Sequence, residues 1–337
     1  MKIGNVDTSN EVLIIAEIGN NHEGDFSLAE RLVGEAADAG AHAVKFQTFQ
    51  TEHFISPLDK DRYARLEQFR LSYDQFESLS TCARDAGLLF ISTPFDLHSA
   101  RFLADIVDAL KVASGDNTFI PLLQEVARCD KPVIVSTGLA NLSQIETVVK
   151  TVEDVWAHKQ VQQELATLHC VASYPVPPEE SNLGAIKILA NKFPNTTIGY
   201  SDHTIGADAA VLSVAMGARI VEKHFTIDNN FSDFRDHQLS ANPETLKELV
   251  RRIKAAEAML GSGEFGMEDC EKPAAEAMRR SIAAGRALES GHELSMDDIT
   301  WIRPGGGVDP GDEDKLLGRK LIRSLDQGEL IHLEDLV

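Results

Sequence analysis

Short apolar runs suited to buried parallel strands recur along the first two thirds of the chain. They are Val12 to Ile18, Ala41 to Gln47, Leu88 to Ser92, Ala109 to Ala113, Pro132 to Ser136, Ala166 to Cys170, Thr197 to Ser201 and Arg219 to His224. Between most of them the apolar positions change to helical spacing, as in Ser27-Leu28-Ala29-Glu30-Arg31-Leu32-Val33-Gly34-Glu35-Ala36, with an Asn or Ser cap expected ahead of the apolar face. Eight alternating strand and helix units over roughly 250 residues predict an α/β fold, a (β/α)8 TIM barrel. A doubly wound sheet alternates in the same way, so the polar residues at the strand ends separate the two. Glu17, Lys45 with Gln47, Thr93, Lys111 with Ser114, Ser136 with Thr137, Tyr174, Ser201 with His203, and His224 all fall at or just past the end of a run. In a barrel those ends form a single mouth. Within Ala43-Val44-Lys45-Phe46-Gln47, a period of two sets Val44 and Phe46 against Lys45 and Gln47. If the apolar pair packs on the helices, the polar pair points into the mouth.

The last barrel helix is predicted from about Pro243 through Leu260, and its pattern gives way to the glycine-rich Gly261-Ser262-Gly263-Glu264-Phe265-Gly266. From about Arg280 onward the pattern is of short strands and tight turns: Ser281-Ile282-Ala283-Ala284, Gly291-His292-Glu293-Leu294, Trp301-Ile302-Arg303-Pro304-Gly305-Gly306-Gly307 and Gln327-Gly328-Glu329-Leu330-Ile331. The organisation expected is a barrel over 1–262, a linker over 263–279 and a small, mostly β domain over 280–337.

Composition narrows the partners. A chain of 337 residues with 43% hydrophobic content can bury a sizeable core. The net charge of −21, with no Lys/Arg cluster interleaved with aromatics, argues against nucleic acid. No segment approaches the ~20 apolar residues of a membrane span, and the first residues do not resemble a signal peptide, so a cytoplasmic location without membrane contact is expected. Cys82, Cys129, Cys170 and Cys270 are scattered without Cys-x-x-Cys spacing, which argues against disulfides and structural zinc.

The candidate chemistry sits at the strand ends. His203 and His224 could meet on adjacent strands and hold a divalent metal, although two hydrogen-bonded histidines without metal fit the spacing equally well. A lysine ending a buried strand needs a partner: Lys45 and Lys111 suit a phosphate or carboxylate ligand, or an internal salt bridge to Glu17 or Asp116. Glu17 stands where a carboxylate can act on water or on a substrate proton. Asp236, in Phe234-Arg235-Asp236-His237, adds a carboxylate to the same edge or lies in a solvated loop.

Ile15-Ala16-Glu17-Ile18-Gly19-Asn20-Asn21-His22-Glu23-Gly24, Val44-Lys45-Phe46-Gln47-Thr48, Ser92-Thr93-Pro94-Phe95, Lys111-Val112-Ala113-Ser114-Gly115, Ser136-Thr137-Gly138, Ser201-Asp202-His203-Thr204 and Glu222-Lys223-His224-Phe225 occur in that order. Together they resemble the sialic acid synthase (NeuB) family. The tail, with Arg303-Pro304-Gly305 and Leu317-Gly318-Arg319, is similar to that family's antifreeze-like (SAF) domain. The resemblance implies condensation of phosphoenolpyruvate with an open-chain N-acetylmannosamine-type amino-sugar aldose, giving a nine-carbon 2-keto acid and phosphate. It implies that His203 and His224 ligate Mn2+, or Mg2+ or Co2+ in its place, which holds the aldehyde and a water. Lys45, Lys111, Ser114, Ser136 and Ser201, with Gln47 and Thr93, would grip phosphoenolpyruvate. Glu17 would assist proton transfer, Asp236 would contact the sugar or the water, and Tyr174 and Asp116 would join the substrate-binding set. Arg303 would reach the sugar's acyl group across a domain-swapped homodimer.

The chain departs from the family pattern in several places on the sugar side. Phe234-Arg235 stands where Gly-Pro is usual, Asp116 is shorter than the usual acid, Ala172 replaces a polar residue, and Thr51 to Phe76 is short. Two other function classes share these residues: a Schiff-base aldolase using Lys111 or Lys45, and a non-catalytic carbohydrate-binding protein.

Overall fold

The computed structural model describes residues 1–337, which divide into two compact units, Met1–Gly261 and Ser262–Val337. In the first unit, eight parallel strands close into a barrel: β1 Leu13–Gly19, β2 Ala43–Thr48, β3 Leu89–Pro94, β4 Ala109–Val112, β5 Val133–Ser136, β6 Leu165–Cys170, β7 Thr197–Asp202 and β8 Ile220–His224. Each pairs with the next, and β8 returns to β1 through Ile220↔Leu13 to His224↔Glu17. Every predicted run is a strand, shifted by one or two residues at its ends.

Alternation along the strands builds two apolar layers. Ile14, Ala16, Val44, Phe46, Phe90, Leu110 and Val135 face outward into the layer shared with the helices. Leu13, Ile15, Ala43, Leu89, Ile91, Ile134, Leu168 and Ile220 face inward and fill the barrel's lower half. Ile3 and Val6, on a short antiparallel hairpin (Lys2–Ile3 with Val6–Asp7), join that inner layer near the strand starts. The inner layer is so tight at β7 that a Cβ on Gly199 would lie 2.4 Å from Leu168 Cδ2 and 2.5 Å from the Ile220 carbonyl oxygen. Above this apolar floor, the next inward positions on the same strands are polar, and there the site begins.

Helices separate the strands and are capped at their starts. Helix Phe26–Asp38 is capped by Asp25, not by the Asn or Ser expected, while Ser72, Asn141 and Asn242 cap Tyr73–Asp85, Leu142–Lys159 and Pro243–Leu260. The short 51–76 segment holds helices Thr51–Phe54 and Lys60–Phe69 before Tyr73–Asp85 begins. No helix is long and apolar enough to cross a membrane.

In the second unit, β9 Ser281–Ala284 pairs antiparallel with β10 Ile299–Ile302 over a core that includes Ile282, Leu288, Leu294, Leu316, Leu321 and Ile331. The other predicted strands are reduced to isolated bridges, Glu293↔Lys320 and Ala283↔Leu330. Gly291 and Gly328, both at positive φ, turn the chain before a ladder can extend. The expected linker carries a short exposed helix, Lys272–Met278.

Candidate active site

Strand register alone brings most of the candidate residues together. Glu17 on β1 lies opposite His224 on β8 and Lys45 on β2, Gln47 lies opposite Thr93 on β3, and Glu222 on β8 lies opposite Ser201 on β7. All point inward, and with Lys111, Ser114, Ser136, Tyr174 and His203 they line a small chamber of about 50 Å³. Above it a wider cavity of about 790 Å³ opens at the mouth, sharing Gln47, Ser114, Tyr174 and His224 with the chamber and adding Ala172 and Asp236.

Two lysines and two carboxylates, all buried, occupy the chamber. Lys45 Nζ lies 2.8 Å from Glu17 Oε2 and 3.6 Å from Glu222 Oε2, and it donates to Thr93 Oγ1 at 3.2 Å. Lys111 Nζ donates to Ser136 Oγ at 2.6 Å and lies 3.9 Å from Glu222 Oε1, which also accepts from Ser201 Oγ at 2.9 Å. Internal ion pairing is therefore present, but the partner shared by both lysines is Glu222, and Asp116 pairs with neither. Burial opposes charge on Lys45, yet Glu17 and Glu222 outweigh it and hold the ammonium above its ordinary value. Lys111 is pulled below its ordinary value by burial, only partly offset by Glu222.

The two carboxylates diverge. Burial pushes Glu17 up, with Glu222 adding like-charge repulsion, so Glu17 keeps its proton to higher pH than a free carboxyl. Burial acts on Glu222 as well, but Lys111 and Lys45 outweigh it and bring its value to about 2. Gln47 Nε2 donates to Glu17 Oε1 at 3.0 Å and is itself held by Asn20 Nδ2 at 2.9 Å. Gly19 lets the chain pass over this carboxyl: its φ is +53°, and a Cβ there would sit 3.0 Å from Glu17 Oε1. Likewise a Cβ on Gly138 would lie 2.6 Å from Ser114 Oγ, which accepts from the Gly138 N–H at 3.1 Å.

His203 and His224 do meet, with ring centroids 5.3 Å apart, and the Tyr174 ring lies 4.2 Å from that of His203. Outward-facing neighbours set their positions. Lys223 Nζ pairs with Asp202 Oδ2 at 2.9 Å behind the sheet, and Asp202 accepts from the Thr204 N–H and hydroxyl at 2.8 Å. That knot fixes the turn presenting His203. His203 Nδ1 bonds to the Val171 carbonyl at 2.9 Å, an arrangement that makes Nδ1 the donor and leaves the lone pair on Nε2. His224 Nδ1 is buried without a hydrogen-bond partner, as is Asp236 Oδ1. Burial lowers His224 to about 3, so its imidazole is neutral near pH 7. Burial would lower His203 too, but Cys170 and the Val171 carbonyl outweigh it and hold that imidazole above its ordinary value. The lone pairs on His203 Nε2 and on the neutral His224 ring fit a divalent cation, although no third His, Cys, Asp or Glu completes a protein-only ligand cluster.

Asp236 is held rather than solvated. It sits on a short helix, Arg235–Leu239, pinned by His237, whose Nδ1 bonds Thr226 Oγ1 at 2.6 Å and whose Nε2 bonds Glu23 at 3.0 Å. Asp116 lies apart from both cavities' linings, half-buried on a 3-10 turn, with its carboxyl pushed up to about 6 by burial. Arg303 belongs to the second unit, exposed just past β10.

Three functional groups escaped the sequence reading: Glu222, Cys170 and Asn20. Glu222 lies inside a quoted motif, and counting back two residues from an inward His224 finds it. Cys170, 3.8 Å from His203 Nδ1, follows from the same period on β6.

Comparison with known proteins finds a family match in each part of the chain. Residues 32–265 match the NeuB family and residues 279–337 the SAF domain. An N,N'-diacetyllegionaminic acid synthase of Legionella pneumophila is 38% identical, over 95% of this chain and 94% of that protein. An uncharacterised protein of Methanocaldococcus jannaschii is 43% identical, over 100% of this chain and 98% of its own. Among solved structures, an N-acetylneuraminic acid synthetase from Leptospira borgpetersenii, in complex with citrate, superposes with a TM-score of 0.75 at 36% identity, covering 81% of this chain and 94% of that one. With its barrel and its tail both matched, the chain belongs to the NeuB family.

Proposed function

We propose that this chain condenses phosphoenolpyruvate with an open-chain 2-acylamino aldose, forming a 2-keto sugar acid and phosphate. The observation that carries the reading is the single chamber in which two buried lysines and two buried carboxylates lie beside a pair of imidazoles whose rings meet. An anionic substrate and a carbonyl substrate can meet there. The relatives named above as synthases of legionaminic and N-acetylneuraminic acids support the reaction class.

Lys45 and Lys111, with Ser114 and Ser136, would hold the phosphate and carboxylate of phosphoenolpyruvate. His203 and His224 would hold a divalent cation, Mn2+ or in its place Mg2+ or Co2+, whose chemistry is to polarise the aldehyde carbonyl. C3 of phosphoenolpyruvate attacks the aldehyde carbon, forming the new C–C bond as the aldehyde oxygen takes the proton that Glu17 holds. Positive charge develops at C2, where the Glu222 carboxylate supplies compensating charge, and water adds. Glu17, with its raised proton affinity, takes the proton of that water. The tetrahedral centre then expels phosphate by C–O cleavage, its hydroxyl proton leaving with the phosphate, and the 2-keto acid remains.

Phosphate release from phosphoenolpyruvate that requires both aldose and divalent cation tests the reading. A second reading, a Schiff-base aldolase, is favoured by one observation, the lowered ammonium of Lys111. Borohydride trapping with pyruvate separates the two, since a covalent lysine adduct belongs only to the aldolase.

A further inference from the structure

The condensation chemistry leaves one charged feature of the mouth unused. Helix Lys60–Phe69 turns Arg62, Arg65, Leu66 and Phe69 toward the wide cavity, the i, i+3, i+4, i+7 stripe of a single face. Neither arginine forms an ion pair, whereas Glu67 on the same helix is held by Arg70 at 2.7 Å and Asp59 caps the Arg62 N–H. Asp61, one turn before Arg65, does not pair with it either. The other charged groups lining the cavity are Asp233 and the pair Arg235–Asp236, whose charged atoms are 3.3 Å apart. The unpaired cations therefore outnumber the unpaired anion, and both arginines are exposed where the cavity opens to solvent.

A molecule with net charge −21 repels an approaching anion. The wide cavity shares Gln47, Ser114, Tyr174 and His224 with the chamber. An anion travelling from solvent to Lys45 and Lys111 thus crosses the arginine-bearing face. We propose that Arg62 and Arg65 form an anion-capture site that draws phosphoenolpyruvate into the mouth against the field of the whole chain. Their role is in capture, apart from bond making, and it rests on the reading of phosphoenolpyruvate as the substrate.

Steady-state kinetics of the full chain with Mn2+ and saturating aldose, at ~0.01 M and ~0.15 M ionic strength, where the screening length falls from about 30 to about 8 Å, test this. The double variant Arg62→Gln/Arg65→Gln should lower kcat/KM for phosphoenolpyruvate about tenfold at low salt while kcat holds. The gap should narrow at the higher salt, and Arg62→Lys/Arg65→Lys should restore most of it. A structural defect would not show that salt dependence. Unchanged kcat/KM, or an equal loss at both salts, would overturn the proposal. So would a rise in the aldose KM with the phosphoenolpyruvate constants unmoved, since it would assign the arginines to an anion on the sugar. Calorimetry with phosphoenolpyruvate alone keeps the two levels apart. Absence of binding by the unaltered chain overturns the substrate reading and this role with it, whereas binding that is equally tight in the glutamine variant overturns the arginine role alone.

Discussion

Glu222 is the residue on which the chamber's electrostatics turn, because both lysines and Ser201 reach it. Glu222→Gln leaves the shape intact but removes the charge that the lysines share, and kcat should fall about 10²- to 10⁴-fold with circular dichroism unchanged. A kcat within a few-fold of the unaltered chain would remove Glu222 from the chemistry. His224→Ala should likewise abolish turnover. In calorimetric titration with Mn2+ the same variant should lose the affinity that the two imidazoles provide, and retained affinity would place the cation elsewhere. At this scale the sequence was informative wherever a polar residue interrupted an apolar run: Glu17, Lys45, Lys111, His203 and His224 were all legible as strand-end residues. Glu222, Lys223 and Asp202 were not, because three consecutive polar residues hide the alternation that sends Glu222 and His224 inward and Lys223 outward to Asp202. Asp116, read as a substrate contact from its motif, lies on a 3-10 turn beyond the strand, where the period of two no longer fixes a direction.

Strands and turns carry predictions of their own. Gly199→Ala on β7 would drive a methyl into Leu168 and the Ile220 carbonyl oxygen, and it should destabilise the barrel by about 1–3 kcal/mol in chemical denaturation. No change in midpoint would mean that β6 and β8 yield more than this packing allows. In the second unit Asp298 accepts from the Ser295 N–H and hydroxyl at 2.9 and 2.7 Å, from His292 at 3.0 Å and from Arg286 at 2.6 Å. Burial alone would raise its carboxyl, but these donors outweigh it and hold it well below the ordinary carboxylate range. Such a group stabilises the fold above the unfolded value of about 3.9 and loses that contribution as pH falls through the folded value. Asp298→Asn should therefore cost about 1–3 kcal/mol at pH 7, and the difference should shrink below pH ~4. A pH-independent difference would contradict the role of the charge. The barrel strands were legible to within two residues because each is an apolar run walled by both layers. The second unit was legible only in outline, since its chain turns at glycines before its strands can pair at length.

For the whole molecule, the alternation of eight strands and helices was enough to anticipate a closed barrel, and closure is what gathers residues from Glu17 to Asp236 into one mouth. The sugar side of that mouth was less legible. Ala172, Asp236 and the 51–76 helices sit on loops, whose course no period determines. The strongly acidic chain nonetheless sets two buried lysines in one chamber beside Glu17 and Glu222, an arrangement that composition alone conceals. The most direct test of the account is a time course of inorganic phosphate and 2-keto sugar acid from phosphoenolpyruvate and Mn2+. The aldoses offered are N-acetylmannosamine, a 2,4-diacetamido-trideoxyhexose or mannose. Equimolar phosphate and 2-keto acid are expected with a 2-acylamino aldose, and neither product without aldose or after chelation. Phosphate release that ignores the aldose, or no release with any of the three, would contradict it.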